Sequence, residues 1–175
     1  GTESQATQNN AVAVGRKSKA IGDSATAIGL DAQASGNLSE AIGVAAKASG
    51  EQAVAISAGS NAQGKRSLAI GQNSNTNANG EDAIALGTNS KATSSNTVAL
   101  GRNTQAAGQR SMAFGNEAKA TANDTIAFGS SSEAKKDNDI IIGKEAKSRD
   151  EGGGYSIAIG YNSTAGSTKT GAATD

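Results

Sequence analysis

The sequence predicts an all-β solenoid built from 14-residue coils, and three observations carry that prediction. A tetrapeptide of the form apolar–Ala–apolar–Gly returns at a nearly fixed interval along the chain. Between its copies, runs of about five residues alternate strictly from one face to the other, which is strand patterning and not helix patterning. The large aliphatic and aromatic side chains are too few for a thick core. Val, Ile, Leu and Phe number 24 of 175 residues, whereas Ala alone numbers 35 and Gly 23. An interior filled by Ala and Ser must be thin.

The tetrapeptide reads VAVG at 12–15, TAIG at 26–29, EAIG at 40–43, VAIS at 54–57 and LAIG at 68–71. It continues as IALG at 84–87, VALG at 98–101, MAFG at 112–115, IAFG at 126–129, IIIG at 140–143 and IAIG at 157–160. The interval is 14 residues, except for one of 16 after Gly71 and one of 17 after Gly143. A second mark falls seven residues later, at Gly22, Gly36, Gly50, Gly64 and Gly108, and at Gly80 after an insertion of two. Glycine relieves the penalty on positive φ, so both marks are expected to be turns. Each coil then holds two short strands, stacked about 4.8 Å above the last, in a rod on the order of 50 Å long. The absence of Pro fits, because each Pro would remove a ladder hydrogen bond.

The columns assign the faces. Two residues before the terminal Gly stands Ala, from Ala13 to Ala158, with Ile141 as the exception. In the second strand a small column (Ser18, Ala32, Ala46, Ser60, Ser90, Thr104, Ala118) alternates with a polar one (Lys19, Gln33, Lys47, Asn61, Lys91, Gln105, Lys119). The two small faces meet in a narrow lumen, and the polar face meets water. One residue before the terminal Gly stand Val14, Ile28, Ile42, Ile56, Ile70, Leu86, Leu100, Phe114, Phe128, Ile142 and Ile159. These eleven point outward in a stripe. At about 1.5–3 kcal/mol for each when buried, they are too many to leave in solvent. The stripe is expected to pack on other copies of the chain, in a closed assembly around a shared axis.

At these residues a resemblance enters. The runs SATAIGLDAQASG, SEAIGVAAKASG and RSLAIGQNS resemble the repeats of YadA-like head domains in trimeric autotransporter adhesins. The match covers residues 10–166, with 1–9 as a flexible leader and 167–175 as a tail leading towards a neck and stalk outside this head piece. The resemblance implies a left-handed parallel β-roll assembled as a homotrimer. It implies display on the outer membrane of a Gram-negative cell, anchored through other segments, with no direct membrane contact from this one. It further implies adhesion to host extracellular matrix, such as collagen, fibronectin or laminin, or to cell-surface ligands.

The chain departs from the pattern in places. Ser57 replaces the expected Gly, and Thr26 and Glu40 interrupt the column three residues before it. A carboxylate facing an apolar axis is costly unless paired or hydrated, so Glu40 is expected where the interface stays wet. Insertions fall in Asn73–Asp82 and Ser148–Tyr155, and they are either ligand-contacting loops or tolerated bulges.

Composition excludes several other chemistries. With no His and no Cys there is no imidazole base, no thiolate zinc site and no Ser–His–Asp triad, and neither enzyme nor cofactor is expected. Sixteen basic residues balance 16 acidic ones and aromatics number four, which argues against a nucleic-acid groove. An ice-binding solenoid would need a flat outward ladder of Thr, where this chain has Lys, Gln and Asn. A polysaccharide-acting solenoid would need clustered carboxylates, which here are scattered. Lys19, Lys47, Lys91, Lys119 and Lys147 share one outward column. They form either a basic ridge for acidic ligands such as glycosaminoglycans or simply a solvated face, and the zero net charge favours the latter. Asp137-Asn138-Asp139 lacks the Gly and distal Glu of a calcium loop. The sequons at Asn37, Asn123 and Asn162 are expected by chance in a chain rich in Asn and Ser.

Overall fold

The computed structural model describes residues 1–149 and 154–166, and no helix occurs among them. Twenty-three short strands form two parallel sheets that face each other across the lumen. One sheet has 11 strands of three residues, each an apolar–Ala–apolar triplet such as Val54–Ile56. The other has 12 strands of two residues, such as Lys47–Ala48. Every strand pairs with the strand one coil away, in register. The parallel solenoid expected from the 14-residue interval is therefore the fold.

Both insertions leave this register untouched. Across the first, Leu68, Ala69 and Ile70 pair with Ile84, Ala85 and Leu86. Across the second, Ile140, Ile141 and Ile142 pair with Ile157, Ala158 and Ile159. The extra residues of the first insertion lie between Thr76 and Ile84, outside the pairing, because a slip of one residue would turn every Ala out of the lumen. Residues 150–153 of the second insertion, and the expected tail 167–175, lie outside the described residues.

The core is a column of small side chains. Ala27, Ala41, Ala55 and Ala69 from one sheet face Ala34, Ala48 and Ala62 from the other, all fully buried. Hydroxyls that share the lumen are satisfied locally: Ser39 Oγ donates to the Gly36 carbonyl at 2.6 Å, and Ser90 Oγ to that of Gly87 at 2.9 Å. Ile141 is the largest fully buried side chain, so the larger residue expected at that coil is held inside the lumen.

Two expectations need correction. The solenoid starts earlier than position 10: Gln5–Ala6 forms a strand paired with Lys19–Ala20, inside the stretch expected as a flexible leader. Gly1 stands 14 residues before Gly15 and already occupies the glycine column. The second set of glycines, moreover, does not adopt positive φ. A Cβ on Gly22 would overlap the carbonyl of Gly36 in the next coil, so these residues are small because coils approach closely there. The left-handed residues of the turns lie two positions after each mark and are mostly not glycine, as in Lys17 (φ 59°) and Ser24 (φ 52°).

Candidate functional surface

Sheet formation fixes what each outer face presents. Because the triplet strands stack in register, Val14, Ile28, Ile42, Ile56, Ile70, Leu86, Leu100, Phe114, Phe128, Ile142 and Ile159 form one unbroken ladder. Beside it runs the column from Val12 to Ile157, with Thr26 and Glu40 as its polar members. Side chains of this face stay partly or largely open in the single chain, with Val14 at 53% and Phe128 at 54% exposure. Phe114 and Phe128 stack with ring centroids 5.7 Å apart. No other surface of comparable length is apolar among the described residues.

The opposite face is polar throughout. Lys19, Gln33, Lys47, Asn61, Asn75, Lys91, Gln105, Lys119, Glu133 and Lys147 stand in register along it. The five lysines are exposed and make no ion pair among the described residues, whereas the turn cations Lys17, Lys65, Arg66, Arg102, Arg110 and Lys144 each have a carboxylate within 3.9 Å. Glu133 lies between Lys119 and Lys147 but pairs with Lys135 at 3.3 Å. The centre of this face is rich in amides: Asn61, Asn75 and Gln105 stand along it around Lys91, and Asn75 Oδ1 is buried without a partner among the described residues.

The turns carry a network that sequence patterning did not reveal. Arg66 donates to both oxygens of Asp82 at 2.7 Å and to Glu81 at 2.8 Å, across the first insertion. Arg110 grips Asp124 in the same way at 2.6 and 2.7 Å. These hydrogen bonds hold the carboxyls of Asp82 and Asp124 below their ordinary range and raise both guanidinium groups. Further along the same edge, side-chain oxygens of Asn37, Asn123 and Asp137 each accept a backbone N–H from the coil before, at 2.9–3.1 Å. A basic residue 14 to 16 positions before an acid was the signal available for the ion pairs.

Asp137 and Asp139 are thus both engaged, and no group of three candidate metal-ligating side chains occurs among the described residues. At two of the sequons, Asn37 and Asn123 are tied to the turn while Ser39 and Thr125 are buried.

The YadA head domain repeat matches the chain over residues 1–18, 20–37, 41–56, 58–74, 62–80, 78–104, 106–132 and 152–168. The chain belongs to the YadA head family. Its fold and repeats are those of an adhesin head, not of an enzyme. Among solved structures, the YadA-type head is similar to the collagen-binding domain of the Yersinia adhesin YadA. Identity is 30%, over 82% of this chain and 74% of that one, with a TM-score of 0.51. Among curated protein sequences none matches. The repeat match begins at residue 1, in agreement with the first strand pair.

Proposed function

We propose that this YadA-type head is displayed on the outer surface of a Gram-negative cell. There it assembles as a trimer around its aliphatic ladder and binds extracellular matrix, collagen in particular. The likeness to a collagen-binding domain over 82% of the chain is the observation that carries the ligand class. The trimer draws its support from the unbroken outward ladder, which has no covering element among the described residues. Once that face is covered, the Lys and amide face of the two-residue strands is what each subunit turns to solvent. It is a straight surface on the order of 50 Å long, suited to a rod-like ligand.

A second ligand class, acidic glycans, is favoured by one observation: among the described residues the five lysines of the outer column have no carboxylate partner. One experiment separates the two. The assembled protein is titrated over immobilised collagen, fibronectin, laminin and heparan sulfate, in parallel with a Lys47→Ala/Lys91→Ala variant. Saturable collagen binding that survives high salt supports the first class. Binding only to heparan sulfate, lost in the variant and in salt, supports the second. Binding to none of the four overturns adhesion by this segment.

A further inference from the structure

Two positions flank every triplet strand at the edges of its sheet. One lies two residues before the strand and the other two residues after it. In the coil of Glu40–Ile42 they are Leu38 and Val44, exposed by 54% and 52%. In the coil of Ile157–Ile159 they are Tyr155 and Tyr161, exposed by 83% and 70%. In the other nine coils the first position is polar or charged, as in Asn10, Arg66, Asn96 and Asn138. A bulky apolar residue on the first edge therefore occurs only where the second edge of the same coil also carries one. On the second edge the remaining aliphatic residues, Leu30 and Ala58, lie directly below and above Val44.

Within one chain the two edges cannot touch. The triplet strand lies between them, and six residue steps, of which Glu40–Ile42 is strand, set them at most about 20 Å apart. Leu38 and Tyr155 also have φ of 56° and 71°, a left-handed conformation that bulky residues seldom adopt. Leu38 and Tyr155 stay exposed among the described residues. A closed ring of parallel chains, with triplet sheets facing a common axis, does bring the edges together. Rotation about that axis carries the first edge of each subunit against the second edge of the next.

We infer that Leu38 of each subunit packs on Val44 of the neighbouring subunit, and Tyr155 on Tyr161, clasping the assembly at two levels with no axial stagger. The inference rests on the proposed assembly around the aliphatic ladder. A stagger of one coil would set Tyr155 against Lys144, and an antiparallel arrangement would separate like levels altogether. The lower clasp stands at Thr26 and Glu40, the coils where the axial column is polar. Edge contacts there take over from the axis.

The chain has no cysteine, so disulfide trapping reads the contact directly. The double variant Leu38→Cys/Val44→Cys, mildly oxidised, should run mostly as a covalent trimer on a non-reducing gel, because a bridge needs Cα atoms within about 7 Å. Neither single variant should cross-link. Tyr155→Cys/Tyr161→Cys should behave like the first pair. Leu38→Lys should weaken assembly, and Val44→Glu should restore it. A trimer in sedimentation with no cross-link between positions 38 and 44 overturns the clasp and leaves the assembly standing. Stronger trapping of Leu38→Cys with Leu30→Cys, or of Leu38→Cys alone, overturns the level register. A wild-type monomer in sedimentation overturns the assembly, and the clasp with it.

Discussion

Inside the lumen, Ser148 Oγ donates a 2.6 Å hydrogen bond to Oδ2 of Asp139, nine residues earlier. The same nine-residue step spans the lumen from Thr76 Oγ1 to Ser67 Oγ at 2.8 Å. Asp139 does more than Ser67, because its other oxygen accepts the backbone N–H of Ser156 at 2.9 Å. In an ordinary coil that N–H closes the turn, as Ala53 does onto the Gly50 carbonyl at 3.2 Å. At the second insertion the corresponding N–H, that of Ser156, is held by the Asp139 carboxylate.

Asp139→Ala should therefore destabilise the fold by about 1–3 kcal/mol, the cost of leaving buried donors unpaired. Asp139→Asn, which keeps one acceptor, should cost less. Thermal unfolding followed by circular dichroism measures both. Equal stability of Asp139→Ala and the wild type would show that the carboxylate does not close the coil.

The glycine column makes two predictions of opposite sign. Ser57 is the single member with a side chain and has φ 104°. Ser57→Gly should add roughly 1 kcal/mol by removing left-handed strain. At Gly115, where φ is 126°, a Cβ would lie 2.7 Å from the Gly129 backbone. Gly115→Ala should cost more than about 2 kcal/mol, because neither neighbouring coil can retreat. Denaturant midpoints for the two variants should fall on either side of the wild type.

Leu100 stands in the middle of the outward ladder, between Leu86 and Phe114. Leu100→Asp should leave the lumen intact, since its neighbour Ala99 is the buried residue. The expected outcome is a folded chain with native far-ultraviolet signal that sediments as a monomer. A variant still assembled at micromolar concentration would remove the ladder from the interface.

Asp82 and Asp124 predict the acid limb of stability. Hydrogen bonds from Arg66 and Arg110 lower their pKa in the fold from the ordinary 3.8. A carboxyl lowered in this way stabilises the fold above its unfolded pKa, and the contribution disappears as pH falls through the folded value. Stability should be flat from neutrality to about pH 5 and decline below about pH 4. Both pairs lie at the exposed turns, so the effect should be small and should shrink in salt. Carbon-detected titration of Asp124 should show its pKa rising in Arg110→Ala.

Much of the fold was legible because one clock governs it. The Ala column and the aliphatic column could be assigned to lumen and exterior from alternation alone, since a two-residue period leaves only two faces. The first coil went unread because its second mark falls on Gln8 instead of a glycine, with only Gly1 to mark the interval. The role of Gly22 was misassigned because positive φ and close approach demand the same residue. Asp139 resembled a fragment of a calcium loop, as its true partners, Ser148 and Ser156, lie 9 and 17 residues away. For the outer faces, sequence placed the lysines in a column, whereas the pairing of the turn acids with other cations follows only from the folded turns.

The hydrogen bonds of both sheets run from coil to coil, so they lie along the length of the rod. Tension applied between its ends pulls on those bonds lengthwise and opens them a few at a time, where a long antiparallel ladder pulled along its strands would be sheared as a whole. Each coil released trades about 4.8 Å of rod for roughly 45 Å of slack chain. Because coils contact only their neighbours, one can yield without unravelling those beyond it. A surface head built this way lengthens in small repeated steps under flow, absorbing a pull before it reaches whatever the head holds.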